Sequence, residues 1–274
     1  MRIHVLAVRR VPAVPSPVLL EAYDVLRAHG HEVTDAICEE VGTRTDLLEP
    51  EHDLYLLKSH TPLALSVAGV LDAGGARMIN PYAACVRTQN KIVVSRLLRA
   101  AGVPAPRTWV TGDGATLAGL ADGRALIVKP YQGHRGAGVH VVRDPGALRC
   151  AVAAAGCPVV VQEHVPGPGE DLKVYVVGEQ VFAVRKPFSA TSFAVPGRPV
   201  AVDPEVRAVA LRVGRALGLE LFGLDVIESP GGPVVVDVNY FPGYKGVPDA
   251  GALIGEHLAA RARELEGAPL ALAA

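Results

Sequence analysis

Residues 221–247 read LFGLDVIESPGGPVVVDVNYFPGYKGV, two apolar runs separated by a Ser-Pro-Gly-Gly turn. Apolar runs divided in this way read as two buried strands joined in a hairpin. Yet the first run carries Asp225 and the second carries Asp237 and Asn239, groups that are costly to bury without partners. Side chains alternate along a strand, so Asp237 and Asn239 share a face. Counting outward from the turn brings Asp225 near the same end of the hairpin. Two carboxylates and an amide oxygen, with no His or Cys among them, form a hard-oxygen set suited to magnesium or manganese and unsuited to zinc. The plainer reading of either acid alone is a strand-end residue satisfied by backbone amides.

Magnesium sites of this kind share ligands with nucleotide phosphates, so cationic and amide donors are expected elsewhere in the chain. No Gly-Lys pair occurs, which excludes a Walker A loop. The glycines of YQGHRGAGVHVV (Gly133, Gly136 and Gly138) join a strand to a strand. A dinucleotide-binding loop must instead lead from a strand into a helix. A glycine-rich hairpin can still cover phosphates with its amides, and Lys129, at the end of the preceding strand, is placed to touch an anion. The segment VVVQEHVPGPGEDLKVYVV is an apolar strand ending at Gln162-Glu163, then a Pro/Gly connector, then a new strand from Glu170-Asp171. Such a hinge offers backbone donors and acceptors to a base edge, and an acid beyond it can hold ribose hydroxyls.

The remaining chain frames these motifs. Apolar residues 3–8, 32–37 and 53–57 read as strands. A helix between the first two has Ser16 as its cap, Pro17 at its first position and Gly30 as its stop. A second helix fits residues 62–73, giving a small parallel sheet up to about Asn80. TQNKIVVSRLLRAAG then reads as one helix ending at Gly102. Strands at 108–110, 125–129, 139–142 and 159–163, with helices at 115–121 and 145–155, suggest an α+β unit. After it come a hairpin turning at Gly178-Glu179, a helix at 204–217, the acid-bearing strands and a last helix at 250–264. The expected organisation is an N-terminal α/β subdomain (1–86), a central subdomain (87–165) and a C-terminal subdomain carrying the metal site (166–274).

The balance of charge excludes some partners. The formal net charge is −1 and no long basic run occurs, so nucleic acid is not an expected partner. The N-terminus lacks the pattern of a signal peptide and no window is apolar enough for a membrane span, so the expected location is the cytoplasm, without membrane association. The four cysteines form no C-x-x-C pair and read as buried thiols. Exposed apolar helices in the first subdomain would suit a homodimer.

Taken in order, Lys91 on a helix, Lys129 before the glycine-rich loop, Gln162-Glu163, and Asp225, Asp237 and Asn239 before Pro242-Gly243 resemble the ATP-grasp superfamily over residues 80–250. The resemblance implies ATP clamped between two α+β units. Lys91 and Lys129 would bind phosphates under the loop of Gly133, Gly136 and Gly138. Gln162, Glu163, His164 and Val165 would meet adenine, and Glu170 or Asp171 would hold ribose. Asp225, Asp237 and Asn239 would carry two magnesium ions. Many members have Asp-Lys where this chain has Asn90-Lys91.

NPYAACVRTQNK, VVQEHV and DLKVYVVGEQVFAVRK look like the RimK-type carboxylate–amine ligases, whereas DVNYFPGYKG looks like inositol polyphosphate kinases of the trisphosphate 5/6-kinase type. His134 is followed by Arg135, where those kinases have His-Gly. Both groups begin with in-line transfer of the γ-phosphoryl group to an oxygen. In a ligase the acceptor is a carboxylate and an amine then displaces phosphate; in a kinase it is a hydroxyl. The ligase reading, with a small carboxylate and an amine as substrates, covers more of the chain. Arg185 or Lys186 is the candidate transition-state cation. Candidate substrate contacts are Lys58 and His60, which follow the third strand, together with Lys173, Gly243, Tyr244 and Lys245.

Overall fold

The computed structural model describes residues 1–266 apart from 11–13, 15, 134–136 and 188–195. The chain opens with β1 (Arg2–Ala7), α1 (Pro17–Ala28), β2 (Glu32–Ile37), β3 (Leu54–Leu57), α2 (Pro62–Ala73) and β4 (Met78–Ile79). These strands form a parallel sheet ordered β2-β1-β3-β4. All four residues of β3 are buried, as expected of a parallel strand covered on both faces. At the start of α2, Thr61 Oγ1 accepts from Ala64 N at 3.2 Å. Ser16 does not cap α1 through its side chain; its carbonyl accepts from Leu20 N. The two-residue β4 is too short to register as an apolar run.

The single helix expected to end at Gly102 is two: α3 (Tyr82–Gln89) and α4 (Lys91–Ala100). Asn90 makes the break, with an extended backbone and Oδ1 accepting from Ile92 N and Val93 N at 3.0 and 3.3 Å. Asn is a strong N-cap for this reason. The break puts Lys91 at the first turn of a new helix.

Next come β5 (Thr108–Thr111), β6 (Leu126–Pro130), β7 (His140–Val142), α5 (Pro145–Ala155) and β8 (Val159–Glu163). They build an antiparallel sheet ordered β5-β8-β6-β7 with its own small core, centred on Leu126, Val128, Leu148 and Val161. Residues 114–121, expected as an α-helix, form a 3-10 segment pressed on α5. A Cβ at Gly114 would lie 2.8 Å from Arg149 Cα, so only glycine permits that approach.

The chain ends with β9 (Glu170–Val177), β10 (Gln180–Pro187), β11 (Arg198–Val200), α6 (Pro204–Leu217), β12 (Leu221–Ser229), β13 (Gly232–Tyr240) and α7 (Ala250–Glu266). The antiparallel sheet runs β11-β10-β9-β12-β13. Its core is continuous with that of the first sheet, from Ile3 through Val176 to Leu258. Two devices close that joint. A Cβ at Gly255 of α7 would sit 2.6 Å from Val25 Cβ, so glycine lets α1 and α7 touch. The fully buried Asn80 side chain accepts from Glu220 N and Leu221 N at 2.8 and 2.9 Å and donates to Leu221 O at 2.8 Å. It serves the start of β12 as a neighbouring strand would.

The cysteines differ from expectation. Cys85 is buried, whereas Cys150 and Cys157 are exposed and Cys38 is intermediate; Cys150 and Cys157 lie on the outer side of the small core. Leu63 and Val70 of α2 are 48% and 44% exposed. Among the described residues no helix is long and apolar enough to cross a membrane.

Replacing Asn80 with alanine strands the Glu220 and Leu221 amides, while Leu221 O keeps its bond from Phe241 N; each stranded group is worth about 1–3 kcal/mol. We expect Asn80→Ala to lower the urea midpoint by an amount equivalent to about 3 kcal/mol; an unchanged midpoint would remove this amide as the joint. Glu220 supplies the pH test. Hydrogen bonding from His257 at 3.0 Å, reinforced by Arg261, holds its carboxyl below the usual range. A depressed acid stabilises above its unfolded pKa and loses that contribution as pH falls through its folded value. Glu220→Gln should therefore cost about 1–2 kcal/mol at neutral pH, and the difference from the parent protein should close in acid.

Candidate active site

From the turn, Ser229 pairs with Gly232 and Val226 with Val235; then the register shifts, Asp225 facing Asp237 and Gly223 facing Asn239. The extra residue is Val236, a β-bulge. Paired residues share a face, so the bulge puts Asp225, Asp237 and Asn239 together. An unbroken ladder would set Asp225 opposite Val236 and turn Asp237 to the other side.

The same face continues across the sheet. Lys173 on β9 lies opposite Asp225, and Lys186 on β10 lies opposite Asp171. Lys173 Nζ is 2.7 Å from Asp225 Oδ2 and 3.2 Å from Asp171 Oδ2. Burial pushes this lysine down, but Asp225 and Asp171 outweigh it and hold Lys173 above its ordinary value. Burial raises Asp171, with Lys173 opposing. Lys186 is almost wholly buried, and desolvation, then repulsion from Lys173 and Lys245, lowers it.

Two further lysines arrive from outside the sheet. Lys129 Nζ, at the end of β6, donates to the bulge carbonyl of Val236 at 3.2 Å. Burial lowers its pKa, and Asp237 opposes that shift. Lys91 Nζ donates to Gly133 O at 2.9 Å and lies 3.7 Å from Asp237 Oδ1. Thus Lys91, Lys129, Lys173 and Lys186 stand among Asp171, Asp225 and Asp237, a cationic surplus suited to a polyphosphate.

Among the described residues no three His, Cys, Asp or Glu side chains form a metal cluster. The candidate ligands are two carboxylates and an amide, all oxygen donors on one face, and that set fits magnesium.

The other expected residues sort as follows. Arg185 faces the opposite side of the sheet from the acids, 2.6 Å from Glu228 Oε2 and 3.9 Å from Glu170 Oε2. That pairing explains its orientation and takes both Arg185 and Glu170 away from the acidic face. Gln162 shares a face of its sheet with Lys129, and its Nε2 donates to Thr108 Oγ1 at 3.1 Å. Glu163 points to the other side, 3.9 Å from Arg107. His164 N donates to Ala125 O at 3.1 Å, and Val165 is half-buried in the connector. Gly138 has φ 69°, and a Cβ there would strike Pro130 Cγ at 2.9 Å. Gly136, with His134 and Arg135, lies outside the described residues.

Tyr244, expected at the substrate, is instead buried in the core of the sheet end. It is 1% exposed, donates to Val176 O at 2.8 Å and packs on Tyr175 with ring centroids 5.4 Å apart. Pro242 covers Gly223, 3.0 Å from where a Cβ would stand, so the Pro-Gly-Tyr run closes the sheet end. Lys58 Nζ donates to Phe241 O at 2.6 Å and ties the first sheet to that turn. Gly243 is exposed beside it and Lys245 is half-buried. His60 stacks on Tyr240, centroids 4.0 Å apart and planes 26° from parallel.

Sequence reasoning missed the residues that seat His60. Gln89 Nε2 donates to His60 O at 2.9 Å and to Tyr240 Oη at 3.2 Å, and Tyr240 donates to Ser59 O at 2.6 Å. His60, Thr88, Gln89, Lys91, Gly133, Val238, Asn239 and Tyr240 line one cleft. Their only sequence signal was adjacency to Asn90-Lys91 and Asn239.

The model of the RimK-like ATP-grasp domain matches residues 88–261. The chain belongs to the RimK-like ATP-grasp family. It is 33% identical over 220 residues to a probable alpha-L-glutamate ligase of Xanthomonas oryzae pv. oryzae, covering 73% of this chain and 74% of that protein. In fold it resembles a RimK domain ATP-grasp protein from Sphaerobacter thermophilus (TM-score 0.74, 22% identity, 94% of this chain and 99% of that one). It also resembles D-alanine–D-alanine ligase from Bacillus anthracis, solved with ATP (TM-score 0.70, 20% identity, 97% and 100%).

For a RimK-like ATP-grasp protein, the lowered values of Lys129 and Lys186 have a thermodynamic consequence. An adjacent polyphosphate favours their charged forms. Nucleotide binding should therefore take up protons on the alkaline side of neutrality, and affinity should fall as pH rises through the lowered lysine values. Calorimetric titration with ATP in buffers of different ionisation enthalpy measures this; proton release would contradict it.

Proposed function

We propose that this ATP-grasp ligase activates a small carboxylate as an acyl phosphate at the expense of ATP and then joins it to an amine, with glutamate as one of the two substrates. The family supports C–N bond formation, and the glutamate assignment rests on the similarity to probable alpha-L-glutamate ligases. The observation that carries the acyl-phosphate reading is the convergence of Lys91 and Lys129 on the strand of Asp237 and Asn239, with Lys186 on the same face of the sheet opposite Asp171.

In this reading Lys91, Lys129 and Lys186 neutralise the phosphates, and Lys173 positions Asp225. Asp225, Asp237 and Asn239 would hold magnesium, which when bound draws charge from the phosphate oxygens. Gln162 and the connector after it face the base, with Asp171 the better placed of the two candidate acids for the ribose. Lys186, and not Arg185, is the cation for the transferring group because only Lys186 shares the face of the acids. Packing accounts for the kinase-like Pro-Gly-Tyr segment, which favours the ligase reading over a hydroxyl acceptor.

Incubation with ATP, magnesium, glutamate and candidate acids, followed by hydroxylamine, should yield a hydroxamate and inorganic phosphate. A stable phosphomonoester without free phosphate would sink the ligase chemistry. Asp237→Ala and Lys186→Ala should each lower ADP formation by about 100-fold or more. Arg185→Ala should leave the rate within a few-fold of the parent.

A further inference from the structure

The second half of such a reaction needs a proton acceptor, because an aliphatic amine reaching the site from neutral water is protonated and its nitrogen has no lone pair to offer. The described residues lining the cleft beside Lys91 and Asn239 leave few candidates. Thr88 donates its hydroxyl to Ala84 O at 2.7 Å. Tyr240 donates to Ser59 O, and burial raises its pKa far from neutrality. Gln89 and Asn239 are amides, and Lys91 is a cation that donates to Gly133 O. His60 is the one lining side chain whose ordinary titration range lies near neutral pH.

Its placement is built. It follows β3 at the carboxyl end of the parallel sheet, where such sheets present ligand-binding groups. Gln89 holds its carbonyl, and the Tyr240 ring holds its imidazole plane. The charged and titratable groups nearest it are Lys91 at the start of α4, which lines the same cleft, Tyr240 on β13, stacked on its ring, and Lys58 on its own segment, bonded to Phe241 O, with Glu39 bound to the neighbouring Thr61.

We propose that His60 accepts the proton released by the attacking amine, which makes it a catalytic residue of the second half-reaction. The inference rests on the acyl-phosphate reading. The ammonium first passes one proton to the imidazole, which frees the lone pair. The nitrogen then forms a bond to the acyl carbon, the carbon–oxygen bond to phosphate breaks, and inorganic phosphate leaves with that electron pair and takes up the nitrogen's second proton as hydrogen phosphate.

The test compares two nucleophiles. Hydroxylamine is far less basic than an aliphatic amine and reaches the site as free base at neutral pH, so it needs no such acceptor. With glutamate as the amine, His60→Gln should lower amide formation at neutral pH by about 100-fold, and the deficit should shrink as pH rises. With hydroxylamine, the same variant should make hydroxamate at near the parent rate, which also proves it folded and competent in the first step. Equal amide rates in parent and variant overturn the proposal. Parallel loss of both products in His60→Gln and His60→Ala also overturns it, placing His60 in the first step or in the fold. If the parent enzyme makes no hydroxamate, the acyl-phosphate reading fails first and takes this inference with it.

Discussion

In the β12–β13 hairpin the ladder absorbs one extra residue at Val236, and that slip decides which side chains share a surface. Alternation along a strand has a period of two, so a shift of one residue reverses every assignment beyond it. Before the shift the buried positions of β13 are Pro233 and Val235; after it they are Val238 and Tyr240. Asp225 and Asp237 meet only because the two strands disagree in count by one. Lys173 then reaches Asp225 from β9, and Lys186 and Asp171 extend the charged face to β10. The freed carbonyl of the bulge receives Lys129 from the smaller sheet. One irregularity thus brings the two ATP-grasp sheets to a common point.

Residue pattern carried the larger elements because burial dictates it. The four-residue β3, the acid-bearing hairpin and the helices opened by Asp-Pro or Thr-Pro were legible, since their apolar runs and end signals coincide. Short pairing segments such as β4 and β11 were not, because two or three residues are too few to show an apolar pattern. Asn90 was hidden inside an amphipathic stretch that reads as one helix until its side chain is seen capping the second half. In the site, residue types named the candidates, but orientation sorted them. Arg185 and Lys186 are neighbours that point to opposite faces, and no count from the Gly178 turn could separate their roles without knowing which face carries the acids. The burial of Tyr244 was not legible, because a polar tip on a loop resembles a rim residue, while its hydroxyl is satisfied by a buried carbonyl.

The cleft has one wall in common with the main core and one built on a separate core. Asn80, the Lys58–Phe241 bond and the glycine contact between α1 and α7 fasten the first sheet to the acid-bearing sheet. His60 therefore belongs to the same body as Tyr240, and its position relative to Asn239 is fixed by packing. The smaller sheet reaches that body through lysine contacts and the segments that lead into and out of it; in the proposed reading this divides the labour, with substrate geometry on the fused body and phosphate cover on the other.

Lys129 donates its hydrogen bond to a main-chain oxygen, and that choice of partner has consequences for how the sequence can drift. A side-chain acceptor at 236 would be lost with a single codon change, whereas the carbonyl is present whichever amino acid stands there. What must be preserved is the number of residues between the Gly232 turn and Asp237, so the contact tolerates substitutions and is broken by a one-residue insertion or deletion.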